Sequence, residues 1–552
     1  MSCSDISRRL RHGLLLPGVR IGFFYIMITY SRFFLRAWFL TVAIFFVAAG
    51  SVLEAQTNLT WGPNGSGLPV GGSGTWNVTT PNWTLDNGVT YQTWPTSSEP
   101  GDGYAIFGGT AGTVTITDAL TANGLRFDTD GYIVSSSGLG SLTMVNNTNG
   151  FAPHITVSNA GDSATINATI TPSTNYESLL IDGAGTLNLA GSTTLSGDIN
   201  INGATLRLQT ATGSLNAANL VLGSGAGGTF ILDNTGATGA TDQHFGSLEL
   251  FGGDTTIQSN RVAAQNVALI FDNSVYFYAP GATTNFVVNG GVNGTENLIN
   301  LAAYSEGFIS PSGFFNGSNY AWQDSGGFLR GINYGVDAGS VTSAGGVSIP
   351  STAFVQTTGA ITAQTDATFT TLNISGANDF TVADGNTLTV SGILKSGTGA
   401  ANINGGTILP GSQELVVRTD LASDSLTINS VITDNSGSIL TKSGQGILTL
   451  TGNNTFTGSL FINGGKVSVA TLPTATEASP IGEGTLVFSG GTLQYTGSGS
   501  VTTTHPFYVT GGGTFEVTDV GATVNLNSGI GGPNTQLYSD SFVKTGLGTL
   551  IL

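Results

Sequence analysis

The chain repeats itself, and the period is short. Residues 441–469 read TKSGQGILTLTGNNTFTGSLFINGGKVSV and align without a gap with IDGAGTLNLAGSTTLSGDININGATLRL at 181–208. Gly444, Gly446, Leu448, Leu450 and Gly452 fall on Gly183, Gly185, Leu187, Leu189 and Gly191. The closing VKTGLGTLIL restarts the motif at Lys544, Gly546 and Gly548, and shorter echoes begin at Asn386 (NTLTVSG) and Gly484 (GTLVFSGGTLQYTG). In G-x-G-x-L-x-L-x-G the two leucines stand two residues apart, so both point to one face of a strand while the threonines point to the other. The glycines around them permit positive φ at tight corners. Such a unit buries too few aliphatic side chains to offset the ordering of its own backbone, so it must stack on neighbours. Short strands, tight corners and stacking predict a parallel β-solenoid; an antiparallel β-sandwich or propeller is the alternative. With about twenty residues per turn and rungs about 4.8 Å apart, the expectation is a single rod on the order of 100 Å long.

Composition supports an elongated all-β body. Glycine accounts for 82 of 552 residues, charged residues for only 9%, and proline for 16 positions with no G-X-Y period, which excludes collagen. Mean hydropathy is positive at +0.18, and aliphatic residues recur throughout, unlike a disordered chain. Six basic residues (Arg8, Arg9, Arg11, Arg20, Arg32 and Arg36) and only two acids (Asp5, Glu54) precede residue 56. The remainder carries nine basic and 31 acidic residues, a formal charge of −22. Nucleic acid is excluded as a partner, because phosphate binding needs clustered Lys and Arg. The single cysteine, Cys3, leaves the rest of the chain without disulfides or a thiolate metal site.

Arg32 and Arg36 precede an apolar run at 37–50 (AWFLTVAIFFVAAG), followed by small residues up to Ala55. This is the order of a secretory signal peptide, cleaved after Gly50 or Ala55. The 14-residue run is shorter than the roughly 20 needed to span a bilayer as a helix, although an uncleaved anchor is the alternative. Met27 opens a stretch that reads as a complete signal, so 1–26 form a possible over-extended start.

The segment 441–469 resembles the autotransporter-associated β-strand repeat, with Lys442, Gly444, Gly446, Leu448, Leu450, Gly452, Asn454, Phe456, Gly458, Ile462, Gly465 and Val467 in the places of that pattern. The copy at 181–208 departs from it, with Ile181 where Lys442 stands. GSGTWNVTTPNW, YAIFGG and FDTDGY, between Trp61 and Tyr132, are similar to the N-terminal part of the same bacterial surface proteins. The resemblance implies a right-handed parallel β-helix of the pectin-lyase-like kind, secreted and displayed at the cell surface or outer membrane as an autotransporter passenger. Trp76, Trp83, Trp94 and Phe107 are then expected to form an aromatic-rich N-terminal cap. The expected organisation is a signal peptide at 1–55, a capping β region at 56–170, degenerate β-helix repeats at 171–439 and autotransporter-associated repeats at 440–552. No barrel follows, so outer-membrane association is expected through a missing C-terminal region of an incomplete chain.

Pectin-lyase-like folds also carry polysaccharide lyases and hydrolases, so catalysis needs its own test. Glycoside hydrolysis needs paired carboxylates, and uronate elimination needs a base with cationic stabilisation. The sequence has no Asp-Asp pair and no Gly-His-Gly, and its nine basic residues are scattered. We therefore expect an adhesive or structural stalk and no enzyme; the alternative is a β-helical carbohydrate-active enzyme. No residue is assigned to a catalytic, cofactor or metal site, and no cofactor is implied. His154, His244 and His505 stand alone and read as turn or surface positions, while His12 lies in the export segment. Asp128 and Asp130 in FDTDGY read as an Asx turn, because a calcium loop needs more oxygen ligands at fixed spacing. Lys442 and Lys544 read as solvated gatekeepers on strand edges. The aromatic cluster at 304–334 (Phe308, Phe314, Phe315, Tyr320, Trp322, Phe328, Tyr334) reads as rings sealing a loop against the solenoid, or as a surface for an extracellular glycan. A glycan and a host or neighbouring cell surface are the candidate partners.

Overall fold

The computed structural model describes residues 57–552 apart from 64–70, 87, 96–102, 147–149, 173–177, 196, 224, 278, 475–476, 529 and 532–540. The export segment expected at 1–55 lies outside the described residues. Within them the regular elements are all strands, stacked as two parallel β-solenoid arms joined by a short antiparallel connector.

The first arm winds from Thr57–Trp61 to Gly313–Phe315. One of its faces is a ten-stranded sheet running from Trp83–Thr84, antiparallel to its neighbour Thr57–Trp61, to Val275–Phe277, and a second face stacks Gly74–Trp76 through Gly313–Phe315. The third face is broken into a five-stranded stack ending at Ser214–Asn216 and a three-stranded one beginning at Thr241–Phe245. Register keeps like above like. Leu187, Leu206, Phe230, Ile257 and Phe286 stand directly over one another on successive rungs, and all are fully buried. Period-two alternation within each strand, repeated in register, thus produces one continuous core.

The first rungs close on aromatic rings. Trp76 contacts Trp83 at 5.0 Å and Trp94 at 4.8 Å between centroids, and Trp83 contacts Trp94 at 4.7 Å. Phe107 then stacks on Phe127 of the next rung at 5.0 Å. These rings fill the space an open first rung would expose, as expected of the N-terminal cap.

The second arm runs from Ser340–Ser343 to Thr549–Ile551. Its core has the same construction: Leu426, Leu448, Val467, Leu493 and Phe515 form one buried column. The leading glycine of the repeat is conformationally required. Gly183, Gly444 and Gly546 have φ of +93°, +73° and +78°, and a Cβ on each would lie 2.2 Å from a carbonyl oxygen of the rung below. No other residue fits that corner.

The expectation of one straight rod is not met. After Gly313–Phe315 the chain does not add another parallel rung. Asn316 and Gly317, with φ of +48° and +71°, turn it into Asn319–Gln323, which pairs antiparallel with Gly313–Phe315 and with Leu329–Gly331. Asn-Gly is the residue pair that such hairpin turns favour. The second arm then runs back along the first. Gly281 bonds Glu414 and Asn463, Asp254 bonds Arg418 and Gly444, and Ala226 abuts Gly511. Falling numbers in the first arm meet rising numbers in the second. Each arm keeps its own core, and a third apolar cluster (Phe314, Tyr320, Trp322, Ile332, Phe354, Leu394 and Val416) fastens the connector to the second arm.

Candidate functional site

The connector carries an open groove of about 970 Å³. Phe315, Trp322 and Ile332 contribute its apolar surface, and Glu306, Ser318, Asn319, Asn333 and the Asp324–Arg330–Asp337 group its polar surface. Arg330 organises that group. Its Nε donates to Asp324 Oδ2 at 2.7 Å, and Nη1 and Nη2 donate to the two Asp337 oxygens at 2.7 and 2.8 Å. Nη1 also reaches the Gly331 carbonyl at 3.0 Å, and the guanidinium lies 5.8 Å from the Trp322 ring centre. The forked, charge-assisted geometry pins the 324–337 loop. The Arg330 hydrogen bond holds Asp324 below the usual carboxylate range. At Asp337 burial pulls upward, but Arg330 and the Asn333 amide outweigh it and the net shift is down. Both carboxyls are therefore held as ionised acceptors, the opposite of what a general acid needs.

The aromatic residues at 304–334 chiefly seal. Phe314 and Tyr320 are fully buried and Trp322 is 5% exposed. Burial raises the Tyr320 and Tyr334 hydroxyls, and Tyr304 donates to the Val275 carbonyl at 3.2 Å. Only the edge of this cluster reaches the groove.

A second group of charges lies where the arms meet. Arg418, 6% exposed, donates through Nη1 to both Asp254 oxygens at 3.1 and 3.2 Å and through Nη2 to Asp420 at 3.3 Å. Its guanidinium sits 4.9 Å above the Phe314 ring. Asp254 accepts further bonds from the Gly444 amide at 3.0 Å and the Thr283 hydroxyl at 2.9 Å. Glu414, pushed up chiefly by burial, accepts from Gly281 N at 3.0 Å and Thr441 Oγ1 at 2.5 Å. These bonds join residues of the two arms, so the group serves as a clasp between them.

Lys442 is not a solvated strand-edge gatekeeper, whereas Lys544 is solvated on the edge strand Phe542–Thr545. Lys442 is fully buried, because its parity with Leu440 points it inward, and its Nζ donates to the carbonyls of Ser443, Gly444 and Gly464 at 2.6, 2.9 and 3.2 Å. Desolvation lowers it from 10.5 to about 7. Lys544 makes the same turn to the carbonyls of Gly546 and Gly548, but on the last rung, where the side chain stays exposed. Lys395 opens a third K-[ST]-G-x-G corner, which sequence reasoning missed. It is buried, and its ammonium caps the carbonyls of Ser396 and Gly397 at 3.1 and 2.6 Å. Ammonium groups thus cap corner carbonyls, using acceptor capacity that a single backbone bond leaves free.

Other expectations also change. Asp128 and Asp130 do not form an Asx turn; they join successive rungs. Asp128 accepts from Arg126 at 2.7 Å and Ser158 Oγ at 2.5 Å, and Asp130 accepts from the Ser163 amide at 2.7 Å. His505 is fully buried rather than at a turn or the surface, with Nδ1 2.9 Å from the Gly484 carbonyl. His244 is half-exposed beside Asp272 at 3.1 Å, and His154 lies 5.0 Å from the Tyr104 ring.

Each of the nine basic residues beyond residue 56 is thus engaged inside the chain. Arg126, Arg207, Arg261, Arg330, Arg418 and Lys466 pair with carboxylates, and the other three lysines cap carbonyls. Six of the nine cations are compensated by carboxylates, while Lys544, exposed on the last rung, has carbonyl partners only.

The repeat family described as Passenger-associated-transport-repeat matches residues 182–208 and 440–469. These two repeats are similar to those of autotransporter passengers. The chain is 31% identical over 394 residues to the adhesin BmaC autotransporter of Brucella suis biovar 1 (strain 1330), a match that covers 64% of this chain and 11% of that protein. The chain therefore spans about a ninth of the length of this curated relative. No solved structure matches it. The two matched repeats are those aligned by sequence, and in the structure each contributes one corner and the strands flanking it to its own arm.

Proposed function

We propose that the chain is part of an exported bacterial surface passenger with a structural and adhesive role and no catalytic activity of its own. The observation that carries this reading is its likeness to an autotransporter adhesin, set on a solenoid most of whose cations pair with its own carboxylates. In this reading 1–55 direct export, and the arms hold a contact surface away from the cell at or beyond the outer membrane. The polysaccharide-lyase alternative would need a cation free to stabilise a uronate, and the one cation of the connector groove, Arg330, is held by Asp324 and Asp337.

The test is display of the chain on a non-adherent bacterium, scored by attachment to host cells and to neighbouring bacteria. Attachment above the undecorated strain is expected. Release of unsaturated or reducing sugar ends from polysaccharide by the purified chain, abolished by denaturing it, would overturn the non-enzymatic part.

A further inference from the structure

We propose that the connector groove is a binding site for a neutral oligosaccharide, hydrogen-bonded by Glu306, Ser318 and Asn333 over the edges of Phe315, Trp322 and Ile332. This deepens the adhesive reading and rests on it for its biological meaning, though not for its chemistry.

The groove's volume, about 970 Å³, is at the upper end of the range usual for small-ligand sites, roughly 300–1,000 Å³. It is built on rigid supports. The third apolar cluster bolts the connector to the second arm, and Arg330 fixes both ends of the 324–337 loop. A site held this way loses little freedom on binding.

Its hydrogen-bonding groups fall into two sets. Asn319 is used by the fold, with its amide nitrogen on the Ile332 carbonyl at 3.0 Å and its oxygen on the Tyr320 amide at 2.8 Å. Asn316 Oδ1 accepts from the Val288 amide at 3.0 Å. By contrast the Glu306 carboxylate, the Ser318 hydroxyl and the Asn333 side-chain amide bond no other protein group among the described residues, yet all three line the groove. A carboxylate, a hydroxyl and an amide together offer acceptors and donors, which matches vicinal sugar hydroxyls. The partly apolar floor suits the C–H face of a pyranose.

Charge selects among sugars. Glu306, Asp324 and Asp337 stand against one cation, Arg330, whose charge those aspartates already neutralise. A uronate or sialate would meet repulsion with no free cation to offset it. A cationic peptide would meet a net charge of −2, but the acceptors of Asp324 and Asp337 are taken up by Arg330, and exposed ion pairs contribute little to affinity. A neutral saccharide fits both constraints.

The test uses the full chain, labelled and passed over an array of immobilised neutral oligosaccharides, with trigalacturonate and an oligolysine peptide as comparison probes. Saturable binding to at least one neutral saccharide is expected. Glu306→Gln combined with Asn333→Ala should weaken it by about tenfold or more, and Ser318→Phe should block it, with melting temperatures unchanged. No neutral ligand on the array, binding untouched by these variants, or equal binding of trigalacturonate or oligolysine in the groove would overturn the proposal. Displayed variants separate it from the broader reading. If wild type adheres and the variants adhere equally, the groove proposal fails and the adhesin reading stands. If wild type does not adhere but the array shows groove-dependent binding, the reverse holds.

Discussion

Replacing Arg418 by methionine removes the side chain that, among the described residues, pairs with Asp254 across the two arms, while keeping most of the buried volume. Asp254 then keeps the Gly444 amide and the Thr283 hydroxyl but loses both guanidinium contacts, and Asp420 loses its ion-pair partner. Breaking a buried ion pair from one side costs about 3–5 kcal/mol, and the lost stacking on Phe314 adds to the effect. Because solenoid stability is summed rung by rung, the loss should be local. Hydrogen exchange read by mass spectrometry is the suitable assay. The amides of Gly444 and Gly281, both bonded across the contact, should exchange about two to three decades faster at about 1.4 kcal/mol per decade. Rungs at 103–136 should be unaffected. Asp254→Asn in the Arg418→Met background should restore part of the protection, because the uncompensated carboxylate is gone. A change below about threefold at these amides, or equal loss along the whole chain, would refute the assignment of a clasp.

Lys442 makes a pH prediction of definite sign. Its folded value, about 7, lies below the unfolded 10.5, so the stability contributed by the neutral amine is full above pH 10.5 and declines as pH falls to about 7. The melting temperature should therefore rise between pH 7 and 9.5 in wild type, and rise less in Lys442→Met; comparing the two removes contributions common to both. Gly511→Val should force the arms apart, since even a Cβ there would lie 2.1 Å from Ala226 Cα; faster exchange at 220–230 and 507–513 would report it. Trp83→Ala should cost about 3–5 kcal/mol in the first rungs, read as early proteolysis before residue 130 with the second arm intact.

Much of the fold was legible because the repeat states it directly. The leucine spacing at 448 and 450 set which side chains point inward, and the leading glycines marked the corners. Lys442 was misread although its parity with Leu440 placed it inside. Reasoning from charge alone assumes that a lysine seeks water, whereas a corner with spare carbonyls can hold an ammonium. The same K-S-G-x-G at Lys395 lay in plain view. The fold-back was harder to see. Asp254 and Arg418 are 164 residues apart and sit in no local pattern, so nothing in the chain announces their meeting. Only Asn316-Gly317, between two aromatic runs, carried a local signal for the hairpin that starts it. The groove was half legible: the aromatic cluster drew attention to 304–334, but most of its rings are buried, and the groups free to bind are polar residues with no distinctive spacing.

The folded-back arrangement itself is open to one direct measurement. With Cys3 replaced, the chain has no other cysteine, so nitroxides can be placed at Phe251→Cys and Gln445→Cys alone. Phe251 is three residues from Asp254, and Gln445 is next to the Gly444 that Asp254 binds. Folded-back arms place these two backbones within about 20 Å of each other. In a straight solenoid about eight rungs would separate them, roughly 40 Å. Pulsed dipolar spectroscopy should return the short distance in wild type and a broader, longer one in Arg418→Met. A single distribution near 40 Å in the unperturbed chain would contradict the account.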